Sequence, residues 1–366
     1  MPVPWVRCVA YVSVSESTIE LAEDQQPALP PPARLHDRQP LGAVVPADPW
    51  QTVRLIGFAA FAVCYVWWFF ARGLIIDRIS VALSVGIFIV IGHLGRPLRR
   101  WGWLVFDCLC YCAMWLIYEE SRGWADHAGF PLQVEAPRNI DRFLFFGTDP
   151  NVWLQHQLYD RNVVHWYDKV ASSTYYTHFI FPVIAIAVLW VTNHREWARF
   201  IKRFATLLVV ACTMFVLMPT VPPWMADDKY HIIDPLVRHT GRGFQSMGLK
   251  GFVRSWQSAL DWGNAVAAMP SLHAGFALFV PAFFLPLIKP KWLKALVLLF
   301  PILMLTSLVY FGEHYVVDGL VAWIIVGLSF LFWGWMEKRQ RRVRAERAHR
   351  SFGRPVERPL DHVAVV

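Results

Sequence analysis

The chain has 366 residues, of which 56% are apolar and only 17% charged, with 19 Trp and a formal charge of +8. Soluble domains carry about a quarter of their residues as charges, and the mean hydropathy here is +0.36, which excludes a disordered chain, a nucleic-acid-binding domain and a simple water-soluble enzyme as the main reading. The basic residues gather between apolar runs and in the C-terminal tail, the distribution expected beside a membrane surface, and the six Cys, five of them inside apolar runs, make no disulfide framework.

Residues 1–50 hold nine of the 25 Pro, mixed charge and no apolar stretch long enough to span a bilayer. They read as a disordered cytoplasmic tail, since the features of a signal peptide are absent. Eight apolar segments follow, at 53–71, 79–95, 101–118, 174–193, 204–221, 271–288, 294–311 and 317–336. Each approaches the ~20 residues that a helix needs to cross the hydrocarbon core. Lipid offers backbone polar groups no partners, so the spans are helices. The expected fold is an all-α polytopic bundle of about eight transmembrane helices. Accessory helices occupy 51–120, a catalytic membrane domain 121–336 and a basic cytoplasmic tail 337–366.

Lys and Arg set the expected orientation. Arg96, Arg99 and Arg100 follow segment two. Arg195, Arg199, Lys202 and Arg203 follow segment four, and Lys289, Lys291 and Lys294 follow segment six. The run from Lys338 to Arg344 follows segment eight. If all eight segments span, these clusters share one side, and the positive-inside rule makes it cytoplasmic. Both termini are then inside, and the long connections at about 119–173 and 222–270 lie on the outer (or lumenal) face. Their aromatic content, including Phe143, Phe145, Phe146, Trp153 and Trp166, predicts interfacial helices at the headgroup level.

Two stretches on that face carry chemistry. In Met269-Pro270-Ser271-Leu272-His273, Pro and Ser mark a helix start, where unpaired N–H groups suit an anion. A capping Ser beside a packed His is the competing reading. In Gly312-Glu313-His314-Tyr315-Val316-Val317-Asp318, His314 and Asp318 are four apart and share a helix face. A carboxylate placed there fixes one imidazole tautomer and leaves the other nitrogen a better nucleophile or base. His178 and Asp107 stand in apolar surroundings and require partners that the sequence does not name.

Pro-Ser-x-His followed by His-x-x-x-Asp resembles the type 2 phosphatidic acid phosphatase superfamily, in the form carried by its inositol phosphorylceramide synthase-like (inositolphosphotransferase) branch. Pro222-Pro223-Trp224, His165-Trp166-Tyr167-Asp168 and Tyr175-Tyr176-Thr177-His178-Phe179 add to the likeness, which covers roughly 140–335. The resemblance implies a membrane lipid phosphotransferase or phosphatase. On that resemblance His314 would attack phosphorus and form a phosphohistidine, Asp318 would orient it, and His273 would protonate the leaving alkoxide and then activate water or an alcohol acceptor. Ser271 and adjoining amides would hold the phosphoryl oxygens, with no metal and no organic cofactor expected. The partners implied are a phospholipid or lipid phosphate and the membrane, with no nucleic acid. The superfamily's Lys-x6-Arg-Pro is missing, and Leu308 stands where its Ser-Arg would place the arginine, beside Ser307. A buried phosphoryl group needs compensating charge, so other outer-side cations are expected to bind phosphate: Lys169 first, then Lys250 and Arg254, with Arg142, Arg161, Arg238 and Arg242 also available. His178 and Tyr310 are expected near the substrate. A transporter or flippase with a polar lipid site, and a zinc-dependent hydrolase using the same His and Asp residues, are the competing functions.

Overall fold

The computed structural model describes residues 48–72, 78–125, 127–249, 253, 264 and 266–352. The expectations for the N-terminal tail, for Lys250 and Arg254 and for the last residues of the basic tail lie outside them. The described chain is a helical bundle. The helices are α1 Gln51–Arg72, α2 Arg78–His93, α3 Leu98–Trp124, α4 Ala136–Leu144, α5 Pro150–Leu158, α6 Trp166–Thr192, α7 His194–Leu217, α8 Pro223–Asp228, α9 Arg242–Ser246, α10 Leu272–Phe284, α11 Lys291–Tyr310 and α12 Val316–Phe352. Six of these, α1, α3, α6, α7, α11 and α12, are long and apolar enough to cross a membrane. The second and sixth predicted segments form shorter apolar helices, Ser80–His93 and Leu272–Leu287.

Local chemistry explains where the helices begin. The predicted fourth segment starts at 174, but α6 starts at Trp166, because Asp168 accepts from the His165 backbone N–H at 2.8 Å and closes a capping box. Asn193 caps α7 by accepting from Glu196 N at 3.1 Å, which turns the chain sharply between α6 and α7. Ser271 caps α10 through Ala274 N at 3.4 Å.

Antiparallel packing sorts the chain ends into two groups. At the basic end, Glu337 in the second half of α12 binds Arg199 and Arg203 of α7, each at 2.9 Å. Asp107, buried in α3, accepts from Trp190 Nε1 at 3.0 Å and lies 2.7 Å from His194 Nε2, which supplies the partners that its sequence demanded. At the other end, three loops are zipped together. Gln133 N donates to Pro219 O at 2.7 Å, Val221 N to Gln133 O at 3.0 Å and Thr220 N to Val266 O at 2.6 Å. Here α4 packs on α12, α5 on α11 and α9 on α6. The α4–α5 region exposes Phe143, Phe146 and Trp153, as expected of short interfacial helices.

The core runs through the centre of the bundle. Phe200, Leu207 and Ala211 of α7 and Phe279 of α10 are fully buried. A second cluster, formed by Tyr175, Ala274, Met304, Leu308 and Phe311, sits beneath the loop end. It gives the two histidine motifs a packed floor.

Candidate active site

The two motifs are tied by backbone before any side chain is considered. Ser271 N, at the start of α10, donates to the carbonyl of Asp318 in α12 at 3.0 Å. That bond places His273, one turn into α10, opposite His314, which enters from the loop before α12. Their ring centroids are 5.7 Å apart.

His314 is held from both directions. Its Nδ1 lies 3.2 Å from Oδ2 of Asp318, and the same oxygen accepts the Tyr315 backbone N–H at 3.0 Å. Asp318 is fully buried, so an Nδ1–H donating to it fixes the tautomer and leaves Nε2 with its lone pair. His178 of α6 stacks on His273 with centroids 3.9 Å apart, and Tyr175 covers His273 at 4.5 Å. Nε2 of His273 and Nδ1 of His178 are buried without a hydrogen-bond partner among the described residues. Three imidazoles from α6, α10 and the α11–α12 loop therefore share one site. No group of three His, Cys, Asp or Glu side chains among the described residues is arranged to hold a metal ion.

Other expected residues are placed differently. Ser271 is buried and its hydroxyl oxygen accepts the α10 cap bond, while its hydroxyl proton stays free to donate to a ligand. The Tyr310 hydroxyl donates to Asp168 Oδ1 at 2.7 Å, which engages it inside the protein. Lys169 is nine residues from His178 on α6, half a helical turn away in direction, and it lines a groove with Val170, Ser173, Thr174 and Thr177. Arg142 lies 3.8 Å from Asp149, Arg238 is bound to Glu313, and Arg242 bonds the carbonyls of Asp160 and Val163.

Several residues that support the site were not singled out by the sequence reading. Asn151 Nδ2 donates to the carbonyls of Val309 at 2.9 Å and His314 at 3.0 Å. Gln155, one turn later on α5, donates to Val237 O and Tyr310 O, both at 2.9 Å, and accepts from Val237 N at 2.9 Å. Asp141 of α4 accepts from Val316 N at 2.7 Å and Val317 N at 2.8 Å, capping α12 from another helix. Burial pushes its carboxyl up to about 7, against the pull of those two amides. Two amides at i, i+4 in the short helix Pro150–Leu158 were the one available hint. His239 packs edge-on to Tyr310 with centroids 4.5 Å apart. Burial lowers its pKa to about 4 despite its 2.7 Å contact with Val237 O, so it is a neutral spacer at pH 7.

The family model of the PAP2 superfamily matches residues 138–332. The chain is also similar to a phosphoinositol dihydroceramide synthase of Bacteroides thetaiotaomicron, with 23% identity over 266 residues that cover 69% of this chain and 82% of that protein. No solved structure matches it significantly. The family match spans more than half of the chain and contains both histidine motifs with the helices that bring them together, so the chain belongs to the PAP2 superfamily.

Proposed function

We propose that this chain moves a phospho-head group or phosphoryl group from a phospholipid through a phosphohistidine on His314, at the outer (or lumenal) face of the membrane. The coarser assignment, a membrane lipid phosphatase or phosphotransferase, follows from the superfamily and from the six membrane-length helices. The observation that carries the finer reading is the 5.7 Å approach of His273 to His314, with Asp318 behind His314.

The chemistry balances on these residues. Nε2 of His314 attacks phosphorus as the bond from phosphorus to the lipid oxygen breaks, and His273 gives its proton to the departing alkoxide. An acceptor hydroxyl, from water or an alcohol, then returns a proton to His273 as its oxygen attacks phosphorus and releases His314. The Ser271 hydroxyl proton and the amides opening α10 face the phosphoryl oxygens. Such transfer depends on in-line positioning and charge stabilisation, and the scheme uses no metal and no organic cofactor. The name of the Bacteroides relative favours phosphoinositol as the transferred group and a dihydroceramide-type alcohol as acceptor. The four basic clusters support cytoplasmic termini.

Purified full-length protein, supplied with a panel of phospholipids and a ceramide-type alcohol, tests the reading when free phosphate and new phospholipid are measured side by side. Rapid quench with phosphorus-labelled donor is expected to trap acid-labile, alkali-stable label on the protein, and its absence during turnover rejects the covalent route. Stoichiometric zinc, with activity lost to chelators, would replace the scheme with a metal-assisted one.

A further inference from the structure

His178 takes no part in the transfer written above, yet among the described residues its ring is the closest to that of His273. It stacks on His273 with centroids 3.9 Å apart, stacks on Phe276 of α10 at 4.9 Å and meets Phe179 edge-on at 4.7 Å. A buried imidazole nitrogen without a partner has lost its hydration and gained nothing in return. Two such nitrogens, Nδ1 of His178 and Nε2 of His273, stand here in adjacent rings. Packing alone would be served as well by a phenyl ring, so the nitrogen of His178 requires a ligand.

The order of the rings decides which ligand. Ring contacts join His314 to His273 and His273 to His178, and among the described residues none joins His314 to His178. In-line transfer puts the leaving oxygen, and later the acceptor oxygen, on the side of phosphorus opposite to His314. His273 works on that side, and His178 lies one ring further along. A group at His178 therefore belongs to the alcohol and not to the phosphoryl oxygens. It is not the reacting hydroxyl either, because His273 handles that proton. What remains is a second polar group on the carbons beside the reacting hydroxyl. An imidazole nitrogen can give a hydrogen bond to a hydroxyl or an amide, or take one from it. Phe276 and Phe179 wall the ring with apolar surface, and Phe179 is 37% exposed. His178 lies one turn, about 6 Å, inside the apolar stretch that begins at 174. Both features suit an alcohol that arrives from the bilayer.

We propose that His178 determines which lipid alcohol this site accepts: its Nδ1 holds a second hydroxyl or amide next to the reacting hydroxyl, while Nε2 of His273 carries the reacting hydroxyl's proton. The assignment rests on the phosphoryl-transfer reading above and extends it from the phosphorus to the alcohol. Water and plain long-chain alcohols have no group for this third imidazole.

The test supplies full-length protein in detergent with phosphatidylinositol and one of two acceptors. Dihydroceramide carries a hydroxyl and an amide beside its primary hydroxyl, and hexadecanol carries neither. New phospholipid and water-soluble inositol phosphate are measured together. Wild type is expected to favour dihydroceramide by about tenfold or more in kcat/KM. His178→Phe keeps a ring between His273 and Phe276 and loses the nitrogen. It is expected to lower that preference about fivefold to tenfold and to shift product from new phospholipid toward inositol phosphate. A variant that merely loosened His273 would slow both acceptors alike, so a Phe variant with the wild-type preference overturns the assignment. Should the Phe variant fail to fold, His178→Asn and His178→Leu replace it. They are alike in size, and only Asn returns an amide near the place of Nδ1. Asn is expected to keep more of the preference, and equal preference in the two overturns the assignment. Wild type that uses the two alcohols equally, or hydrolyses the donor without transfer to either, overturns it as well and leaves phosphoryl transfer standing. Wild type that cleaves no phospholipid of the panel and forms no labelled protein rejects the phosphoryl-transfer reading itself, and the His178 assignment with it.

Discussion

Asp318 and His314 meet through Oδ2 and Nδ1 at 3.2 Å, and that oxygen also takes the Tyr315 N–H at 3.0 Å, so one carboxylate sets both the ring and the backbone that carries it. Asp318→Asn keeps the shape but presents an oxygen or an NH₂ where a carboxylate held the tautomer. It is expected to lower kcat between about a hundredfold and ten-thousandfold with KM little changed. His314→Ala and His273→Ala are each expected to abolish turnover while expression and melting temperature hold. Steady-state kinetics on the three variants, together with the label trapped on protein, provides the check. Full trapping of label by His314→Ala would move the nucleophile elsewhere.

Asp141 gives a prediction in pH. Its carboxyl is fully buried and raised to about 7, above its unfolded value, by burial first and by the charges of Asp318 and Asp149 in addition. The folded state therefore binds more protons than the unfolded chain between about pH 4 and pH 7, and the stability gained from this group is present at acid pH and lost as pH rises through 7. Asp141→Asn removes the titration and one of the two amide bonds that start α12. A melting curve followed from pH 4.5 to 8 is expected to be flatter in Asp141→Asn than in wild type, with the variant less stable by about 1–3 kcal/mol at the acid end. Equal slopes would mean that the group does not titrate there.

What was legible in the sequence was whatever repeats or stands close along the chain. Lipid enforces long apolar runs, so the spans could be read from composition, and His314 with Asp318 could be read because a helix brings i and i+4 together. Polar turns that are nevertheless helical were lost. Asp168 and its neighbours extended α6 by eight residues, and α3 ran past 118 to Trp124. Asn151 and Asp141 work across 158 and 175 residues of sequence, and such contacts leave no period and no spacing to find.

Two glycines separate backbone need from lack of space. Gly312 has φ +70°, and a Cβ there meets nothing nearer than 3.7 Å, so only its left-handed conformation resists substitution. Gly312→Ala is expected to lose about 1–2 kcal/mol and Gly312→Asn less, because Asn accepts that conformation. A Cβ on Gly243 would stand 2.5 Å from the Asp168 carbonyl and 2.8 Å from Lys169 Cα, both backbone atoms that cannot turn aside. Gly243→Ala and Gly243→Asn are both expected to push α9 off α6, with losses of about 1–3 kcal/mol for Ala and more for Asn. Melting temperatures of the four variants decide it. The Asn variants should part in opposite directions from their Ala counterparts, and parallel behaviour would contradict the geometry.

Glu313 and Arg238 form the pair next to the proposed nucleophile. The guanidinium makes two bonds to the carboxylate, at 2.9 and 3.0 Å, and lies over Trp224 at 4.6 Å, while the Thr240 hydroxyl gives the carboxylate a third bond at 2.6 Å. Glu313 is buried, whereas Arg238 keeps 33% of its side-chain surface, so the two deletions are not equivalent. Arg238→Ala strands a buried negative charge one residue from His314, where a phosphoryl group must approach. Glu313→Gln leaves a cation that solvent can still reach. Arg238→Ala is therefore expected to be the more destabilising, toward the lower part of the 3–5 kcal/mol range for a broken buried pair because of that solvent access. It should also raise KM for an anionic lipid, whereas Glu313→Gln should lose about 1–2 kcal/mol and leave KM nearly unchanged. Adding Glu313→Gln to Arg238→Ala removes the stranded charge and is expected to restore part of the lost melting temperature. A double variant that melts at the sum of the two single losses would show that the pair is uncoupled and that its position beside His314 is incidental.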